Sequence, residues 1–145
     1  MIINIRRSRH GEGEKLIAIW RRSVDATHDF LSDAYRAELE ELVSDFLPEA
    51  PLWVAVTDQD EPVGFMLLTG EHMDALFIDP DVRGQGIGKR LVEHALTLAP
   101  GLTTNVNEQN TQAVGFYKKM GFKVTGRSEM DDLGKPYPLL NLAYG

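Results

Sequence analysis

One stretch narrows the possible folds more than any other: Leu76-Phe77-Ile78-Asp79-Pro80-Asp81-Val82-Arg83-Gly84-Gln85-Gly86-Ile87-Gly88-Lys89-Arg90. An apolar, β-branched and aromatic run empties into a loop with glycine at 84, 86 and 88, and helical apolar spacing starts at once afterwards. Glycine admits φ > 0 and close backbone approach, so successive N–H groups of such a loop can converge on an anion. The helix N-terminus adds its own unpaired N–H groups and the positive end of its dipole. Arg83 before the glycines, and Lys89 and Arg90 at the rim, supply cations. The junction suits a pyrophosphate.

Two common nucleotide motifs fail on inspection. The dinucleotide pattern G-x-G-x-x-G matches at Gly84 and Gly86 but ends on Lys89. A P-loop with its Gly-Lys at 88–89 needs glycine where Arg83 stands and Ser or Thr where Arg90 stands.

Around this junction the sequence predicts β-α-α-β-β-β-α-β-α-β-β. Ile2 to Arg7 alternates as a first strand, and Leu16, Ile17, Trp20 and Val24 set a helix over 12–26. Ser32 is a candidate N-cap for a second helix with Tyr35, Leu39, Leu42, Val43 and Phe46 as its apolar face, ended by Pro48 and Pro51. Leu52–Thr57 and Val63–Thr69, joined by a short polar turn, predict an antiparallel hairpin, and Met73–Asp79 a further strand. Ile87–Ala99 predicts a helix burying Ile87, Leu91, Val92, Ala95 and Leu98. Thr103–Val106, a helix over Thr111–Met120 with Gly121 beyond its C-terminus, and strands Phe122–Thr125 and Pro138–Ala143 complete a mixed α+β domain with helices on both faces.

Composition enters mainly through what it excludes. The 145 residues contain no cysteine, which removes disulfides, thiolate metal sites and a cysteine nucleophile. A net charge of −7 disfavours nucleic acid and suits a cationic partner such as an amine. No run approaches a membrane span, and Arg6, Arg7 and Arg9 interrupt the N-terminus too early for a signal peptide, so a cytoplasmic location is expected. No histidine pair or H-E-x-x-H motif predicts a metal.

A second segment runs from Thr104 through Val106, Asn110, Ala113, Phe116 and Tyr117 to Gly121 and Phe122. With the [RQ]-x-x-G-x-[GA] spacing of Arg83, Gly86 and Gly88, it resembles the two signature segments of the GNAT (Gcn5-related) N-acetyltransferase family. The resemblance extends over essentially the whole chain and is strongest toward bacterial members. It implies a single domain over 1–145, whose mixed, mostly antiparallel sheet of six to seven strands is splayed in the middle and joined by about four helices.

That resemblance further implies a transfer from acetyl-CoA to a primary amine by direct attack in a ternary complex. The amine could be a protein lysine, an N-terminus or a small molecule; the alternative is a non-catalytic acetyl-CoA-binding sensor. Donor binding falls to Leu76, Phe77 and Ile78 along the pantetheine arm, and to Arg83, Gly84, Gln85, Gly86, Ile87, Gly88, Lys89 and Arg90 around the pyrophosphate. Asn110, Ala113, Phe116 and Tyr117 join them. Tyr117 is expected to donate to the departing sulfur, and Asp74 to act as base, with His72 and Glu71 as adjacent alternatives. Asn105 is a candidate catalytic hydrogen-bonding group, and His28, Asp29, His72 and Tyr137 are candidate acceptor contacts. The fold allows a monomer or a homodimer.

Overall fold

Val54, Val56 and Phe65 are buried on one side of a β-hairpin against Leu16, Ile19, Trp20 and Val24 of a helix, which sets the layering of the first half of the chain. The computed structural model describes residues 2–145. The observed elements are β1 (Ile3–Arg7), α1 (Gly13–Thr27), α2 (Asp33–Phe46), β2 (Trp53–Thr57), β3 (Pro62–Thr69), β4 (His72–Ile78), α3 (Ile87–Leu98), β5 (Thr103–Asn107), α4 (Thr111–Met120), β6 (Phe122–Ser128) and β7 (Leu139–Tyr144). Single 3-10 turns follow α2 and β4. This is the predicted order, with seven strands and four α-helices among the described residues.

Two compact units divide these elements. One is the chain up to Leu67 together with Ala75–His94, and the other is Leu68–Asp74 with Ala95–Gly145. In the first, β1 pairs antiparallel with β2 and β2 with β3, confirming the predicted hairpin. Trp53 packs its ring edge against His94 of α3 at 4.4 Å, while its strand neighbour Val54 faces α1, so helices cover both faces here. In the second, the strand order is β4-β5-β7-β6. There β4 and β5 are parallel and register only as His72↔Thr103 and Met73↔Thr104, whereas β5–β7 and β6–β7 are antiparallel.

Local chemistry explains most boundaries. The Ser32 hydroxyl accepts the Tyr35 N–H at 3.1 Å and starts α2 as expected. Asn110 does the same for α4, accepting from Ala113 at 3.2 Å, and Gly121 closes that helix at φ 110°. Two expectations of burial fail. Leu42 and Phe46 are 49% and 52% exposed, because only the Tyr35 end of α2 is fully covered. Leu98, in the last turn of α3, is 53% exposed, whereas Ile87, Leu91, Val92 and Ala95 are buried as predicted.

Candidate active site

The glycine loop belongs to the first unit, and its entry is built by Asp79. The Asp79 N–H donates to the Val63 carbonyl at 2.9 Å, and the Asp79 carboxylate accepts the Asp81 N–H at 3.1 Å. Pro80–Val82 then makes one 3-10 turn, after which Arg83 is extended and Gly84 and Gly86 take φ of 79° and 76°. A Cβ at either glycine would meet nothing within 4 Å, so conformation and not crowding demands glycine there. The first backbone bond of α3 runs from the Arg90 N–H to the Gly86 carbonyl at 3.0 Å. Among the described residues, the amides from Gly84 to Lys89 therefore carry no backbone acceptor. Ile87, 2% exposed, anchors the helix start in the core, while Lys89 and Arg90 are exposed and Arg83 is half-buried. Free amides under open space, flanked by three cations, fit a diphosphate. Leu76, Phe77 and Ile78 lead into this loop half-buried, and Phe77 packs on Phe65 at 5.6 Å.

The second unit holds Tyr117, which is 6% exposed. Its ring lies edge-on between Phe116 (5.2 Å) and Phe122 (5.4 Å). Thr104 is the polar neighbour of its hydroxyl. The Thr104 hydroxyl donates to the Met73 carbonyl at 2.8 Å. Burial pushes the phenol well above its ordinary pKa, only partly offset by the neighbouring Thr104 hydroxyl. Tyr117 is thus a protonated donor throughout the neutral range, with Thr104 beside it.

A different cluster occupies the start of β4. His72 places Nδ1 2.8 Å from the Thr103 hydroxyl and Nε2 3.8 Å from Asp74 Oδ1. Asp74 also accepts a short hydrogen bond from the Thr69 hydroxyl. Strand alternation puts Asn105 on the Thr103 side of β5, opposite Thr104. The structure therefore groups His72, Asp74 and Asn105 on one face and places Tyr117 on the other.

The remaining expected residues divide by exposure. The Asn110 side chain serves the α4 cap, and Ala113 supplies the N–H it accepts. His28 closes α1, with Nδ1 2.7 Å from the Thr27 hydroxyl and its ring tilted 5.3 Å from Phe30. Burial lowers the His28 pKa to about 4, the nearby Asp29 opposing this only in part, so the imidazole is neutral. Asp29 is exposed, and Tyr137 is half-buried after a tight turn in which its N–H meets the Lys135 carbonyl at 2.8 Å.

Two groups escaped the sequence reading. Thr104 carried a signal, being the one hydroxyl in the buried Leu102-Thr104-Val106 phase of β5. Arg22, which grips Asp79 across 57 positions, carried none.

Comparison with known proteins decides the family. The model of the acetyltransferase (GNAT) domain matches residues 8–134. The chain belongs to the GNAT acetyltransferase family. It is an N-acetyltransferase whose donor is acetyl-CoA. It is 96% identical, over 99% of both chains, to the peptidyl-lysine N-acetyltransferase YjaB of Salmonella typhimurium. It is 81% identical to the Escherichia coli protein of the same name, over 99% of this chain and 98% of that one. The solution structure of apo-form YjaB from Escherichia coli superposes with a TM-score of 0.96 at 80% identity, covering 99% and 98% of the two chains. Among the described residues no helix is long and apolar enough to cross a membrane.

Proposed function

We propose that this GNAT enzyme, acting as one catalytic domain in the cytoplasm, acetylates lysine side chains of proteins. The observation that carries the acceptor is near-identity over the whole length to a protein named as a peptidyl-lysine N-acetyltransferase. A net charge of −7 agrees with a cationic acceptor.

Acetyl-CoA brings an acetyl group already activated as a thioester. The amides of Gly84 to Lys89 hold the pyrophosphate, with Arg83, Lys89 and Arg90 neutralising it, and the backbone of Leu76, Phe77 and Ile78 aligns the pantetheine arm. Tyr117 Oη holds a proton that it gives, or shares by hydrogen bond, to the departing sulfur. Phe116 and Ala113 shape the α4 side of the donor, and Asn110 fixes the start of that helix.

The acceptor amine must lose a proton before it can attack. For a lysine side chain, populating the neutral form at pH 7 costs about 4 to 5 kcal/mol. Asp74, steadied by Thr69 and beside His72, receives the ammonium and takes that proton, and Asn105 on the same face orients the amine. Asp29 adds an exposed carboxylate for a cationic acceptor, the neutral His28 ring stands next to it in the chain, and Tyr137 offers a separate aromatic contact.

CoA release over three acceptor sets tests the reading: a lysine peptide with a blocked N-terminus, a lysine-free peptide with a free N-terminus, and a polyamine. Turnover confined to the first, with the mass increment on lysine, is the expected result. Turnover confined to either of the others would overturn the acceptor assignment.

A further inference from the structure

The glycine loop is anchored at its far end by Ile87 in the core and at its entry by Asp79, and Asp79 is held from outside the loop. Arg22, in the middle of α1, places Nη2 2.6 Å from Asp79 Oδ2 and Nε 3.3 Å from Oδ1. This is the two-pronged geometry in which arginine binds a carboxylate most firmly. Asp79 is 9% exposed, so its charge is largely withdrawn from water. The same carboxylate accepts the Asp81 N–H, and the Asp79 carbonyl accepts the Val82 N–H at 3.1 Å. With the Asp79 N–H on the Val63 carbonyl, five hydrogen bonds thus fix one residue, and Arg22 supplies the two that come from another side chain.

Two consequences follow. The direction in which the chain leaves Asp79 sets where Gly84 to Lys89 point their amides, so loosening the carboxylate loosens the cradle. A carboxylate without its cation would also place a buried negative charge four residues from Arg83, in a loop whose work is to attract an anion. Arg22 neutralises that charge.

We propose that Arg22 is a positioning residue for donor binding, gripping and neutralising Asp79 so that the glycine loop keeps its amides set for the pyrophosphate. This rests on the reading that the loop binds acetyl-CoA. Nothing in it requires Arg22 to touch the donor.

Calorimetric titration with acetyl-CoA, together with kcat and KM, tests it on the wild type, Arg22→Ala, Arg22→Lys, Asp79→Asn and the double variant Arg22→Ala/Asp79→Asn. Arg22 is 46% exposed at its side chain, so its replacement leaves the core intact. Arg22→Ala is expected to weaken acetyl-CoA about ten-fold while kcat at saturating donor changes less than about two-fold. Lysine restores the charge but not the fork, so Arg22→Lys should fall between. Asparagine keeps an acceptor for the Asp81 N–H but removes the charge. The double variant should therefore bind no worse than Arg22→Ala, showing that the two side chains act as one unit.

Wild-type affinity in Arg22→Ala would overturn the proposal. So would equal losses of affinity, kcat and melting temperature that lysine does not rescue, since these mark a merely structural role. Failure of the wild type itself to bind acetyl-CoA would remove the loop assignment and this inference together, an outcome separate from either.

Discussion

The glycine loop and the Tyr117 pocket are built on opposite plans. In the loop, the working groups are backbone amides from Gly84 to Lys89, without backbone acceptors among the described residues and on exposed residues except at Ile87 and Gly88, and the side chains at 84 and 86 are absent. Around Tyr117 the working group is one side-chain hydroxyl, buried beside Thr104, whose own hydroxyl is held by the Met73 carbonyl. Backbone donors need only a conformation, which glycine spacing specifies. A buried phenol needs partners from other elements, which a local motif does not name. The first plan should fail on changes that redirect its backbone, whether a Cβ at a positive-φ glycine or loss of the Arg22 grip on Asp79, and the second on changes around one buried side chain.

The largest effect is expected at the phenol itself. Tyr117→Phe keeps the packing against Phe116 and Phe122 but removes the proton. Turnover should fall at least about a hundred-fold, as for loss of a general acid, with acetyl-CoA affinity unchanged by calorimetry.

Acid should separate the two units next. His28 sits in the first unit with its pKa lowered to about 4 by burial, and His94 there is lowered for the same reason. The unfolded chain takes up the His28 proton first, below about 6.5, so this stability is fully present above that value and is lost as pH falls toward 4. At about 1.4 kcal/mol per unit, the loss from His28 alone reaches at most about 3 kcal/mol. Hydrogen exchange between pH 7 and 4.5 should show the first unit opening first, and earlier opening of the second would break the comparison.

Thr104→Val removes the buried hydrogen bond to the Met73 carbonyl and the polar neighbour of the Tyr117 hydroxyl. Denaturant unfolding should report a loss of about 1 to 3 kcal/mol, with a smaller, few-fold drop in kcat. Gly86→Ala should give the smallest change, about 1 to 2 kcal/mol, because a left-handed backbone now carries a Cβ that touches nothing. Its loss should appear as weaker acetyl-CoA binding with little change in kcat at saturating donor.

The same contrast explains what the sequence made legible. Element order, the caps at Ser32 and Asn110, and the loop at 83–88 follow from local rules, because each is decided by a few adjacent residues. Helical spacing also marked Leu42, Phe46 and Leu98 as buried, yet spacing records only which residues share a face. It does not record how far along a helix the covering layer extends. Thr104 under Tyr117, Arg22 on Asp79 and Thr69 on Asp74 are contacts between elements. So is the grouping of His72 and Asp74 on the face of β5 opposite Tyr117, which follows from the parallel register His72↔Thr103.

Amide resonances of the isotopically labelled protein, followed while acetyl-CoA is added, test the central claim most directly. The signals of Gly84 to Lys89 should shift together and saturate with the calorimetric affinity, as amides that gain a phosphate acceptor do. Saturating binding that moves other amides and leaves these six in place would contradict the account.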